Sequence, residues 1–249
     1  MSILTAVPVY NEESNLHAVL NEVRRYCEHV LVVNDGSTDH TTELLAELSD
    51  VQVVTHPNNR GYGAALISAF DYALEHDFDV LVTTDCDGQH EPARIPVLLE
   101  AIHDVDIVSG SRYLQDFRQN TTVPEDRKAI NQLITQELNA TLGLQLTDSF
   151  CGFKAYRREA LTKLNITETG WGMPLQLWVQ AVAQGLRIKE VGVPLVYLDA
   201  YRAFGGVLND SQERLAYYRD VICHELRQSR WLGGLPMSVP FPCPDRMNS

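Results

Sequence analysis

VLVTTDCDGQHEP, residues Val80 to Pro92, joins an apolar run to a cluster of polar chemistry. Val80, Leu81 and Val82, with Thr83 and Thr84 behind them, form the pattern of a strand buried on both faces. Asp85 and Asp87 follow, with Cys86 between them. Residues i and i+2 of an extended chain point the same way, which sets the two carboxylates side by side. Carboxylates that close repel unless a proton or a cation joins them. Hard oxygen ligands suit Mg²⁺ or Mn²⁺, an ion commonly shared with substrate phosphates. Gln89 and His90 are near enough in the chain to add a ligand. A plainer reading, two acids that start a turn and cap the next helix, fits the same residues.

Outward from this stretch the chain alternates strand and helix. Strands are expected over 2–9, 29–34, 51–56 and 80–84, and helices over 12–26, 41–48 and 64–75. Pro8 marks the end of the first strand, because proline cannot donate to a sheet ladder. Repeated β-loop-α units predict an α/β fold, a mostly parallel central sheet with helices on both faces. In such sheets ligands gather outside the carboxyl ends of the strands. Glu12, Asp35, the loop at Arg60 and the Asp85/Asp87 pair all follow strand ends, so they are expected at one edge. Further on, a helix over 92–103, a strand over 106–110, a polar loop over 114–125 and a helix over 126–142 are expected. A strand-like segment over 148–155, helices over 158–164 and 174–184, a strand over 187–197 and a long amphipathic helix over 210–230 complete the chain. Residues 1–230 are expected to form one domain, with a donor half over 1–110 and an acceptor half over 111–230. The Pro- and Gly-rich residues 231–249 are expected to be loosely ordered.

The chain has 249 residues, 45% of them hydrophobic and 21% charged, with a net charge of −13. That charge argues against nucleic acid as a partner and against unspecific attraction to anionic lipid. A phosphate-bearing substrate then needs a metal or locally placed arginines. Cys27, Cys86, Cys151, Cys223 and Cys243 form no CxxC pair, so no disulfide framework and a reducing cytoplasm are expected. The first residues lack a signal peptide's basic and apolar regions, and no apolar run is long enough to span a bilayer. The histidines lack the spacing of a zinc site.

Six motifs occur in order: PVYNE (Pro8–Glu12), VVNDGSTD (Val32–Asp39), NRGYGAA (Asn59–Ala65), TDCDGQHEP (Thr84–Pro92), GSRY (Gly110–Tyr113) and DSFCGFKAY (Asp148–Tyr156). Together they resemble the inverting family-two glycosyltransferases of the GT-A fold, in particular the dolichol-phosphate mannose synthase and polyprenyl-phosphate branch. The resemblance covers roughly residues 3–200. It implies a donor such as GDP-mannose or a UDP-hexose, a divalent Mg²⁺ or Mn²⁺, and a polyprenyl phosphate or similar acceptor. Glu12 and Asp35 would hold the nucleotide's base and ribose, with Pro8 and Tyr10 shaping the pocket. Asp39 is read as a helix cap. Arg60, Gly61 and, from a late loop, Arg202 would approach ribose or phosphate. Asp85, Asp87 and Gln89 would place the metal on the diphosphate.

A phosphate acceptor arrives ionised and needs cationic clamping rather than a strong base. Arg112 and Arg127 are the candidates, since guanidinium pairs with phosphate in a fork. Asn131 stands where relatives carry a serine, and Gln176 where they carry an acid. Asp148 would orient a sugar hydroxyl or act as base for an alcohol acceptor; a turn or cap role fits it equally. Trp171 and Trp178 suit either sugar stacking or core packing. Trp231, Leu232, Leu235 and Phe241 could touch a membrane. A soluble hydroxyl acceptor and a non-catalytic sugar-nucleotide-binding protein are the rival readings. A nucleotidyltransferase would want a Gly-rich loop with a lysine after the first strand, which PVYNEE lacks.

Overall fold

A computed structural model describes residues 1–198, 204–231 and 240–243. Its centre is a sheet of seven strands: β1 (Ile3–Val9), β2 (His29–Asn34), β3 (Gln52–Thr55), β4 (Val80–Thr83), β5 (Ile107–Ser111), β6 (Lys154–Arg157) and β7 (Ile188–Gly192). The order is β3-β2-β1-β4-β6-β5-β7. Every pairing is parallel except those of β6, which runs antiparallel to both β4 and β5.

Burial on both faces explains the apolar runs. In β2, Leu31 and Val33 face one core while Val30 and Val32 face another. The first core lies under α3 (Tyr62–Glu75), α5 (Glu125–Leu142), α7 (Met173–Ala183) and α8 (Ser211–Trp231). The second is covered by α1 (Leu16–Val23) and α2 (Thr41–Ala46), and beside it α4 (Ile95–Ala101) covers β4 to β6. Truncating a side chain such as Leu31, fully buried, to alanine costs roughly 2–5 kcal/mol.

Pro8 sits inside β1 rather than just past it, opposite Val33. Neighbouring groups show why it is tolerated. Val9 O accepts from Asp35 on the β2 side, while Ala6 O accepts from Thr84 on the β4 side. Alternation aims the nitrogen of Pro8 toward β4, whose pairing has already stopped at Ala6–Thr83.

Three expectations are corrected. The segment 148–155 is strand only from Lys154; residues 148–153 form a loop. The strand expected over 187–197 stops at Gly192. Cys223 and Cys243 form a disulfide, 20 residues apart, which no CxxC spacing announced. That bond docks part of the expected loose tail, because Phe241 lies buried in the first core. Cys27, Cys86 and Cys151 are free thiols.

Candidate active site

The carboxyl ends of the parallel strands β1, β2 and β4 open on one side of the sheet, and three loops interlock there. Asn11, at φ 54°, lets its side chain turn back on the DGSTD loop. Its Oδ1 accepts from Thr38 N at 2.7 Å, and its own N–H donates to Ser37 Oγ. Asp39 takes the N–H of Thr41 at the start of α2 and that of Glu13 as well, a capping part with one cross-loop bond.

Asp35, 3% exposed, accepts from the N–H groups of Arg60 (2.9 Å) and Gly61 (2.8 Å) and from His56 Nδ1 (2.6 Å). His56 Nε2 meets Ser68 Oγ at 2.8 Å. Asp35 thus holds the NRG loop in place, a partnership separated by 25 residues that the motif alone did not disclose.

The glycines of NRGYG serve the same assembly. A Cβ on Gly63 would lie 2.3 Å from Glu168 O, and one on Gly61 2.4 Å from Thr169 O. Ala64 N donates to that same Thr169 O. Close approach is therefore to the chain's own 168–170 segment. Tyr217 on α8 fixes this segment in turn, donating to Glu168 and accepting from Gly172 N.

Asp85 and Asp87 lie past the end of β4, in a turn made possible by Gly88 at φ 72°. Buried Cys86 between them anchors the turn. Asp85 Oδ1 accepts from Tyr62 OH at 2.9 Å, and Asp85 N donates to His90 Nδ1. Burial disfavours a charge on His90, while the Asp85 carboxylate 3.7 Å away favours one; the bond from Asp85 N makes Nδ1 an acceptor in the arrangement seen. Gln89 donates to Asp87 through both its backbone N–H and its Nε2.

The donor set is hard oxygen, which fits Mg²⁺ or Mn²⁺. Gly152 leaves room beside it: a Cβ there would stand 2.8 Å from Asp85 Oδ2. Among the described residues no three His, Cys, Asp or Glu side chains are placed to hold a metal ion, so a cation here would draw its other ligands from water and substrate oxygens.

Arg112 and Asp148 meet in a fork. Arg112 Nε donates to Oδ2 at 2.6 Å and Nη2 to Oδ1 at 2.9 Å. Arg112 N, Asn131 Nδ2 and Phe150 N complete five donors on one carboxylate. Burial works against the charge on Asp148, and Arg112 more than reverses it, holding the carboxyl well below its ordinary range. Glu190 secures the same loop by accepting from Thr147 N and Asp148 N. Asp148 is fully buried, and with Phe150 N and the Arg112 fork on its oxygens it fits the turn alternative of the two readings. Asn131, where a serine was expected, is the second of its holders. Gln176, in the place of an expected acid, takes the N–H groups of Thr167 and Glu168 and donates to Glu225.

Arg127 stacks over Phe204 at 4.6 Å and over Tyr197 at 5.4 Å. Arg214 lies over the same Phe204 ring at 4.6 Å while bonding Asp126 and the carbonyl of Leu208. Trp171 stacks on Tyr62, and Trp178 is a core residue bonded to Ser149 O.

A single cleft of about 980 Å³ gathers most of the expected residues: Pro8, Tyr10, Glu12, Asp35, Gly61, Asp85, Asp87, Gln89, Arg112 and Arg127 line it. Asp148 stands behind Arg112, outside the lining. Arg60 enters the assembly through its backbone. Arg202, Leu232 and Leu235 lie outside the described residues, as does the side chain of Trp231. Tyr62, Phe204, Arg214 and Tyr218 also line the cleft and went unnamed as site residues in the sequence. Arg214 had a visible signal, since it shares its helical face with Tyr218 and Ile222.

Comparison with known proteins agrees with this geometry. Residues 5–164 match the family described as Glycosyl transferase family 2. An undecaprenyl-phosphate mannosyltransferase of Micrococcus luteus is 34% identical over 85% of this chain and 91% of its own. A polyprenol monophosphomannose synthase of Mycolicibacterium smegmatis is 32% identical, with 76% of each chain covered. In fold, the chain resembles glucosyl-3-phosphoglycerate synthase from Mycobacterium tuberculosis, solved with Mn²⁺, UDP and phosphoglyceric acid. That likeness has a TM-score of 0.69 at 22% identity, covering 95% of this chain and 80% of the other. The chain belongs to the family-two glycosyltransferases and has their GT-A fold.

Proposed function

We propose that the chain moves a hexose from a nucleoside diphosphate sugar to the phosphate of a polyprenyl phosphate, with inversion. One observation carries this reading: a single cleft is lined both by the acid pair Asp85/Asp87 and by Arg112 and Arg127. The names of the relatives favour a prenyl phosphate as acceptor and mannose as the hexose. An acceptor phosphate oxygen forms the new bond to the anomeric carbon while the bond to the diphosphate breaks, and the diphosphate leaves with the electron pair. No proton need be removed, which suits a site whose Asp148 is closed off by five donors. Asp85 and Asp87, with Gln89 beside them, would hold Mg²⁺ or Mn²⁺, and the ion would neutralise the leaving diphosphate as a Lewis acid.

Arg112 and Arg127 are the phosphate contacts in this reading. Arg112 spends two of its donors on Asp148, so its charge is largely compensated. Glu12, Tyr10 and Pro8 would shape the nucleotide pocket, and Asp35 would act through the loop it holds. Among the described residues no helix is long and apolar enough to cross a membrane; in this reading the lipid phosphate is met at a membrane surface.

The test is transfer of labelled hexose to undecaprenyl phosphate with GDP-mannose, UDP-glucose and Mn²⁺. Arg127→Ala should abolish transfer and spare metal-dependent hydrolysis of the donor. Survival of lipid transfer in that variant would sink the phosphate clamp.

A further inference from the structure

Between the donor acids and the acceptor arginine runs an unbroken chain of contacts through aromatic side chains. Tyr62 OH donates to Asp85 Oδ1 at 2.9 Å. The Tyr62 ring stacks on Trp171, with centroids 5.1 Å apart and planes 14° apart. Trp171 Nε1 donates to Phe204 O at 3.1 Å, and the two rings meet edge to face. Phe204 in turn carries the guanidinium groups of Arg127 and Arg214, each 4.6 Å from its centroid.

We propose that Trp171 is a positioning residue that couples the donor acid Asp85 to the acceptor arginine Arg127 through Tyr62 and Phe204. The proposal rests on the reading of the cleft as a donor site beside a phosphate site. Tyr62 spends its only proton on Asp85. A cation seated on Asp85 competes for the oxygen that Tyr62 holds. The hydroxyl therefore has two arrangements, bonded to Asp85 or released, and the stacked ring passes the difference to Trp171. The backbone on either side of Trp171 is held, so the response falls to its ring. Its segment is fixed from below by Tyr217 and from the side by the close approach of Gly61 and Gly63. Motion is then delivered to Phe204, the platform beneath Arg127. Linkage makes the effect reciprocal: an anion at Arg127 tightens the donor side by the same factor that the donor side tightens it.

The experiment measures that factor by calorimetry on the full chain. Affinity for Mn²⁺ with GDP, and separately with UDP, is taken with and without farnesyl phosphate. Direct attraction between cation and phosphate survives in every variant, because no charge is changed. In the wild type, farnesyl phosphate is expected to tighten the nucleotide at least fivefold. Tyr62→Phe keeps the stack and loses the bond to Asp85; Trp171→Phe keeps a ring and loses the bond to Phe204. Each should cut the factor below twofold while the melting temperature stays close to wild type; Tyr62→Phe, which frees the Asp85 oxygen, should also tighten Mn²⁺ with nucleotide alone, and Trp171→Phe should leave that affinity close to wild type. A wild-type factor retained in both variants, or no factor in the wild type, overturns the coupling. Failure of the wild type to bind either nucleotide with Mn²⁺ is a different outcome, since it overturns the functional reading as well.

Discussion

Replacing Asp148 by asparagine tests the least visible part of the site. The carboxylate is fully buried and receives Arg112 N, Nε and Nη2, Asn131 Nδ2 and Phe150 N. An asparagine offers one acceptor oxygen and sets an NH₂ against donors on the other side. At least two donors lose their partner, at about 1–3 kcal/mol each. Arg112, with 23% of its side chain exposed, also loses the charge that compensates it. The sum falls in the range of about 3–5 kcal/mol seen when one member of a buried pair is removed. For a domain of this size that is a melting temperature lower by about 10 °C.

The pH dependence has a definite sign. Folding holds the Asp148 carboxyl below its ordinary range, so the unfolded chain takes up this proton first as pH falls. The stabilisation is complete above the ordinary carboxylate range and is lost as pH drops through and below about 4. The gap between wild type and variant should be full at pH 7 and shrink by about 1.4 kcal/mol per unit below about pH 4. Urea titrations followed by circular dichroism, at pH 7 and at steps toward pH 3, measure both quantities. A gap under about 1 kcal/mol at pH 7, or one that does not narrow in acid, would refute the description of Asp148 as a charge-bearing anchor for Arg112.

Two further outcomes follow from the packing. Gly63→Ala sits in the first turn of α3, where propensity alone would favour alanine by about 1 kcal/mol. The new Cβ would stand 2.3 Å from Glu168 O and 2.9 Å from Met173 Cβ, so overpacking of about 1–3 kcal/mol should win and the melting temperature should fall. A rise would show that the 168–170 segment gives way. Cys243→Ser should cost about 3 kcal/mol, the usual effect of opening a loop of this length, and should make the melting temperature insensitive to dithiothreitol. A variant that still responds to the reductant would contradict the Cys223–Cys243 pairing.

Much of the fold was legible where its signals are local. β2 was expected over 29–34 and occurs at His29–Asn34, since four buried apolar residues and buried Asn34 stand between a polar start and the Asp35 turn. α3 and α5 begin within two residues of expectation, the latter with Glu125 and Asp126 in its first turn and Gly143 in the left-handed conformation at its end. What could not be read were partnerships across the chain. Nothing near Asp148 announces Arg112, 36 residues away, and nothing in KAYR says that β6 inserts antiparallel between β4 and β5. Asp35 was read through its motif as a nucleotide ligand, but a motif names a residue type and not the N–H groups it will hold. The Gly61 and Gly63 contacts were of the expected kind, close backbone approach, with a different occupant.

The central claim is that Asp85 and Asp87 seat a divalent cation on a nucleoside diphosphate sugar in the cleft. Its most direct test is release of nucleoside diphosphate from GDP-mannose and from UDP-glucose by the wild type and by Asp87→Ala, each with Mn²⁺ and with EDTA. The account predicts release by the wild type with at least one donor, only with Mn²⁺, and none by the variant. Equal release with EDTA, or by the variant, would contradict it.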